Sequence, residues 1–183
     1  MAEDVFVEEA LEAASGVLKP PLAIKRGAAL LYQVTVNNRL ELTVNPKKPS
    51  RGTSAFQTDL AVFENMGAVE IPRVVMEFKA AVSTHDVITY SAKARKHKQV
   101  YPYLRYGLVV GNEEYIPGRV FRHNEALDFC VAAAAFRSGR LKELFGLLLK
   151  REVKTSRLLE SIAFESRRPR VFRLELVLEE KTP

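Results

Sequence analysis

The 183-residue chain carries 28 Lys and Arg against 22 Asp and Glu, a formal charge of +6, with 47% hydrophobic and 27% charged residues. Such a chain builds one sizeable core, read here as a single domain over 1–183, and no run approaches the roughly 20 apolar residues that a bilayer-crossing helix needs. Acids at Glu3, Asp4, Glu8, Glu9 and Glu12 stand where a secretory leader needs a basic start, which predicts a cytoplasmic protein, and Cys130, the single cysteine, excludes an intrachain disulfide or thiolate zinc site.

In chain order, Val5, Phe6, Ala10, Leu11 and Ala14 recur at helical spacing and predict a helix over Ala2–Ala14, ended by Gly16. After Pro20 and Pro21, the spacing of Ala23, Gly27, Leu30, Leu31 and Val34 predicts a second helix from Leu22 to about Asn37, although Val34, Thr35 and Val36 also allow a strand. Leu40–Val44 reads as a short strand and Asn45–Ser54, rich in Pro, Lys, Ser and Gly, as a loop. Phe56–Phe63 and Ile71–Val82 read as two strands joined by a turn at Asn65–Gly67, with Glu64 and Glu70 solvated beside it.

Asp86 is placed to cap a helix reaching about Tyr101, which Pro102 closes. Tyr106–Val110 then has the composition of a buried strand. Further on, the pattern predicts a helix over Glu125–Phe136 capped by Asn124, a long helix over Leu141–Ala163 and a last strand over Val171–Leu178. The order strand, strand, helix, strand predicts an α/β domain with a mixed central sheet flanked by helices.

Positive charge is unevenly spread. No acid occurs between Asp86 and Glu113, where Lys93, Arg95, Lys96, Lys98 and Arg105 lie, and Arg137–Arg157 and Arg167–Arg173 are also basic. A pI near 9.5 with clustered cations favours a polyanionic partner. His85, His97 and His123 lack metal-ligand spacing and read as surface residues, and no phosphate-cradling glycine loop is present.

One constellation carries chemistry. Side chains repeat every second residue on a strand, so Glu77 and Lys79 share a face, and a hairpin can bring Asp59 beside Glu77. Two adjacent carboxylates repel unless a cation lies between them, and a hard, oxygen-seeking ion such as Mg2+ fits. A lysine ammonium beside that ion can stabilise developing phosphate charge, which is phosphodiester hydrolysis chemistry.

The run Thr58-Asp59-Leu60-Ala61-Val62 followed by Val74-Val75-Met76-Glu77-Phe78-Lys79 resembles the motif of the PD-(D/E)XK nucleases, with Thr58 where the family's usual proline precedes the aspartate. The resemblance covers about the middle third of the chain. It implies a restriction endonuclease-like core over about 22–111, with 112–183 as a helical and β elaboration. It implies Asp59, Glu77 and the Phe78 carbonyl as ligands of Mg2+, for which Mn2+ may substitute, and Lys79 as the catalytic lysine. Glu9 or Glu12 would be a first-helix acid of the kind many members supply. Gln99 and Tyr103 resemble the Gln-x-x-x-Tyr signature of RecB-like and type I restriction branches, which adds Gln99 to the catalytic set. Lys93, Lys96 and Lys98 on the intervening helix would contact phosphates without reading bases.

The function expected is therefore Mg2+-dependent cleavage of nucleic acid, DNA first. Its rivals are a non-catalytic nucleic-acid-binding module that keeps the nuclease fold and a basic scaffold for which the acidic hairpin is coincidence. A homodimer, one subunit per strand, would suit such an enzyme, although no heptad or exposed apolar stripe points to an interface.

Overall fold

In the computed structural model, which describes residues 3–52, 54–136 and 140–172, the first helix forms where its apolar period predicts. Helix α1 (Glu3–Ser15) buries Phe6, Val7, Ala10, Ala13 and Ala14 on one face. The helix predicted over Leu22–Asn37 is instead two strands, β1 (Leu22–Arg26) and β2 (Ala29–Leu31). Gly27, at φ +66, turns the chain between them in the left-handed region that glycine tolerates best. Residues 22–25 are only half-buried at a sheet edge, so their apolar positions carry neither strict alternation nor a helical stripe.

Beyond Tyr32 the chain runs as loop to Gly52, and the strand predicted at Leu40–Val44 is reduced to one bridge between Val36 and Leu42. The strand predicted over Phe56–Phe63 is broken in two. Strand β3 (Ala55–Gln57) pairs with β2, whereas β4 (Leu60–Met66) pairs antiparallel with both β1 and β5 (Val69–Lys79). Thr58 and Asp59 form the break, fixed where the Thr58 N–H and hydroxyl both donate to the Ala28 carbonyl.

Helix α2 (Thr84–Val100) starts one turn earlier than Asp86 implies. Ser83 is its N-cap, and Asp86 supplies the reciprocal half of a capping box by accepting from the Ser83 N–H at 2.8 Å. The chain returns through β6 (Arg105–Val110), parallel to β5, and α3 (Gly118–His123) packs against α2. The helix predicted over Glu125–Phe136 is the strand β7 (Phe129–Ala132), parallel to β6, followed by a 3-10 turn at Ala133–Phe136. Asn124 ends α3 as its C-cap and closes the turn that follows, where its Oδ1 accepts from the Ala126 and Leu127 N–H groups, rather than starting a new helix. Helix α4 (Arg140–Phe164) matches its prediction. The predicted strand Val171–Leu178 lies, from residue 173 on, outside the described residues, and Val171 and Phe172 are exposed coil.

The result is a mixed sheet in the order β1-β4-β5-β6-β7, flanked by helices, with β2 and β3 as a separate pair. Helices α1 and α4 cover one face, where Phe6, Ala10, Phe145 and Leu149 pack on Leu60, Val62, Val74, Met76 and Phe78. On the other face Val87, Ala94 and Val120, from α2 and α3, pack on Ala61, Val75, Tyr106 and Leu108. Each fully buried aliphatic or aromatic side chain contributes on the order of 1.5–3 kcal/mol. Among the described residues no helix is long and apolar enough to cross a membrane.

Glu64, read from the sequence as solvated, is buried. It accepts from Arg73 of β5 at 2.7 Å and from Arg157 of α4, which ties the hairpin to the last helix. Glu70, the other acid beside the turn, pairs with Lys25 at 2.6 Å at the surface.

Candidate active site

The even and odd residues of β5 face opposite layers. Val74, Met76 and Phe78 enter the core under α1 and α4, while Val75 lies in the cluster under α2. Glu77 and Lys79 share the parity of Val75 and so face α2. Glu77 is 1% exposed and Lys79 is half-buried. Leu60 opposes Met76 in the antiparallel β4–β5 register, so the residue before Leu60 meets the residue after Met76. Asp59 and Glu77 thus come together where β4 stops.

The break at Thr58–Asp59 gives this junction its geometry. With no β4 residue beyond Leu60 to pair with the end of β5, the Phe78 N–H donates to Asp59 Oδ2 at 2.8 Å. The N–H and C=O of one strand residue point the same way, so the Phe78 carbonyl also turns toward the Asp59 side. The neighbouring Lys79 carbonyl points the other way and accepts from the Gly111 N–H at 2.7 Å. Gly27 steadies Asp59 from behind by donating to its carbonyl at 3.1 Å. A side chain there would strike Gln57, because a Cβ would lie 2.8 Å from Gln57 Nε2.

Glu77 is held from two more elements. Lys93 of α2 donates to its Oε1 at 2.6 Å and to the Gln57 carbonyl at 2.7 Å. The Tyr106 hydroxyl of β6 donates to the same Oε1. Burial pushes the Glu77 carboxyl up to about 7; the Lys93 charge opposes this and the Asp59 charge adds to it. Burial and the Glu77 charge hold the Tyr106 phenol well above its ordinary range, so it stays a proton donor. His97, expected at the surface, is fully buried one turn from Lys93. Its ring stacks on Tyr106 at 5.6 Å, its Nδ1 lies 2.9 Å from the Leu31 carbonyl, and burial lowers its pKa to about 4.

Set against the sequence, Asp59, Glu77 and the Phe78 backbone meet at the end of β5, whereas Lys79 follows on the Glu77 face of the strand and its charge acts on the Asp86 carboxylate. Lys93, expected to touch phosphate, is inside the same cluster. Lys98 is half-buried and committed to Asp128 at 2.7 Å and to the Ala126 carbonyl at 2.6 Å. Lys96 is exposed, with its Nζ over the Tyr32 ring. Gln99 is exposed on the last turn of α2, and the helix ends at Val100, so Gln99 and Tyr103 do not share a helical face. Tyr103 packs instead under the Arg73 guanidinium and beside Phe164. Glu9 and Glu12 are both exposed on α1, and Glu8 on the same helix pairs with Arg26.

No protein-family model matches the chain, and no curated protein matches it in sequence. The site is therefore judged on its own geometry. Among the described residues no group of three or more His, Cys, Asp or Glu side chains gathers around a point. A divalent ion here would rest on two carboxylates, Asp59 and Glu77, with the Phe78 carbonyl and water as the remaining donors. These are the hard oxygen ligands that Mg2+ prefers, and that ion characteristically keeps several waters. A buried carboxylate whose ionisation is opposed by a second carboxylate is also a place where added positive charge is favourable.

The sequence reading missed Tyr106 and His97 as site residues, and it assigned Lys93 to phosphate where the structure sets it on Glu77. A helical wheel anchored on Val87, Ala94 and Tyr101 would have turned His97 toward the sheet and left Lys93 at the flank of that face, a signal hidden by the run of basic residues around them.

Proposed function

We propose that the protein is a Mg2+-dependent nuclease, with Mn2+ able to substitute, that hydrolyses phosphodiester bonds in nucleic acid, DNA first. The observation that carries this reading is the junction at the end of β4. There the break at Thr58–Asp59 delivers one carboxylate to the Phe78 N–H beside the buried Glu77, with Lys79 on the Glu77 face of the strand. The mixed sheet flanked by helices is also the architecture that the PD-(D/E)XK resemblance implies, which supports a restriction endonuclease-like core over about 22–111.

In this reading Asp59, Glu77 and the Phe78 carbonyl hold the divalent ion. When bound, such an ion lowers the pKa of a water and polarises the phosphate. Tyr106 fixes Glu77 through Oε1, which leaves Oε2 to turn toward Asp59. Lys79 places an ammonium on the same strand face and stabilises charge as it develops on the phosphate oxygens. Lys93, lying on Glu77, supplies a second ammonium at the same point. Exposed cations such as Lys96 and Lys154 attract the backbone without reading sequence.

The rival, a binding module that keeps the fold and does no chemistry, draws support from two contacts, since Glu77 Oε1 is already held by Lys93 and Tyr106. Incubating the purified protein with supercoiled, linear and single-stranded DNA and with RNA, with and without Mg2+ or Mn2+, separates the two. Metal-dependent cleavage that Glu77→Gln abolishes is the expected outcome. Cleavage undiminished in Glu77→Gln would put the active site elsewhere, and binding without cleavage under any metal condition would favour the module.

A further inference from the structure

Beside the catalytic cluster lies a cavity of about 360 Å³, in the range of small-ligand sites, lined by Tyr32, Arg51, Phe56, Gln57 and Lys93 among others. Its walls combine two features. The first is aromatic: the half-buried Tyr32 and Phe56 rings stack with centroids 4.0 Å apart and planes 18° from parallel. The second is cationic: Arg51 and Lys93 line the cavity, and Lys96 Nζ lies over the Tyr32 ring, 5.5 Å from its centre. Stacked aromatic rings bordered by ammonium and guanidinium groups match a nucleotide, whose base has a π-face and whose phosphate is anionic.

The cavity's position relative to Glu77 narrows the ligand further. Lys93 is a wall shared by both sites, since it lines the cavity while its Nζ donates to Glu77 Oε1 at 2.6 Å. On the far side the aromatic wall continues to the same carboxylate. Phe56 meets His97 edge to face at 5.8 Å, His97 stacks on Tyr106 at 5.6 Å, and the Tyr106 hydroxyl reaches Glu77. A base lodged against Tyr32 and Phe56 therefore adjoins a phosphate held at Asp59 and Glu77, with Lys93 between them. A paired base is stacked between its neighbours in a duplex and cannot offer its face to this wall.

We infer that this cavity binds an unpaired nucleobase adjoining the cleaved phosphate, so that the preferred substrate is a single-stranded or locally unpaired strand. The inference rests on the nuclease reading for the identity of the neighbouring site, but its test does not need cleavage. In EDTA at fixed salt, the affinity of the full-length protein is measured for three labelled probes: a single-stranded 12-mer oligodeoxynucleotide, the same strand made of abasic sites, and its duplex. The base-bearing single strand should bind on the order of tenfold more tightly than the abasic strand, and more tightly than the duplex. Tyr32→Leu should remove the difference between base-bearing and abasic strands, while Tyr32→Phe keeps it. Quenching of a 2-aminopurine placed in the strand, measured on the wild type alone, gives a second readout should Tyr32→Leu fail to fold.

Equal affinity for base-bearing and abasic strands, or a 2-aminopurine signal unchanged on binding, would overturn the inference even if the protein cleaves DNA. Base-dependent binding without cleavage in any metal would leave the cavity's role standing and remove the nuclease reading instead.

Discussion

Two buried glutamates on adjacent strands of the same sheet have opposite electrostatics. Glu64, on β4, lies among guanidinium groups, and the hydrogen bond from Arg157 and the charge of Arg73 hold its carboxyl below the ordinary range despite burial. Glu77, on β5, has one ammonium, one phenol and a neighbouring carboxylate, and its carboxyl is pushed up to about 7. The first is a satisfied structural ion cluster that ties β4, β5 and α4 together. The second is undercompensated, and a carboxylate left short of positive charge in a folded protein is a candidate for a functional group. Position in the sheet explains the contrast. Glu64 sits within paired strand, where Arg73 and Arg157 reach it, while Glu77 sits where β4 has ended and Asp59 intrudes.

The largest test of the contrast removes the structural member. Glu64→Gln takes a carboxylate from the buried Arg73, whose other acidic partner among the described residues is Glu160, and unfolding free energy should fall by about 3–5 kcal/mol in urea melts, as when one partner of a buried pair is lost. Lys79→Ala is the corresponding change on the functional side. Its folding should be little altered, while single-turnover cleavage slows by about 100-fold, roughly 3 kcal/mol of transition-state stabilisation.

The pH dependence of stability should separate the two glutamates by sign. Because Glu77 has a folded pKa above its unfolded value of 4.5, its ionisation costs stability as pH rises from about 4.5 to about 7. Glu77→Gln, which cannot ionise, should gain on the wild type across that window. Between pH 4.5 and pH 8 without metal, the stability difference should move in favour of the variant by on the order of 3 kcal/mol. Glu64 has a lowered folded pKa, so its stabilisation is present above 4.5 and is lost as pH falls through the folded pKa. The deficit of Glu64→Gln relative to wild type should accordingly shrink in acid. Thermal melts of the three proteins from pH 2 to pH 8 check both signs, and parallel curves for the two variants would erase the distinction.

The smallest effect concerns surface cations. Lys96→Ala should lower the slope of log affinity against log salt by about 0.9, one phosphate contact's worth on duplex DNA. Lys98→Ala should leave that slope unchanged and lower the melting temperature, because its ammonium is spent on Asp128.

Much of the scaffold was legible in the sequence. The apolar runs of β5 and β6 and the amphipathic period of α4 are set by burial, and their patterns survive in the chain as written. The failures have physical causes. In Phe129–Phe136 the run of alanines favours helix locally, yet parallel pairing with β6 makes its first four residues a strand. Residues 22–31 form two short strands whose pairing with β4 and β3 is long-range and leaves no local periodicity. At the site, Asp59, Glu77 and Lys79 were visible because strand parity and a hairpin bring them together. The break that aims Asp59 was not, since it depends on Thr58 bonding to Ala28, 30 residues away in sequence. Charge runs misled most. Lys93, Lys98, Arg105 and Arg157 read as surface cations, and each is tied to an internal acid.

The central claim is that Asp59 and Glu77 together form a divalent-cation site, and calorimetric titration of Mn2+ into the wild type, Asp59→Asn and Glu77→Gln tests it most directly. The wild type should take up one ion at a site that Mg2+ competes for, and either substitution should weaken binding severely while the fold persists by circular dichroism. Unchanged Mn2+ affinity in Glu77→Gln, or no uptake by the wild type, would contradict it.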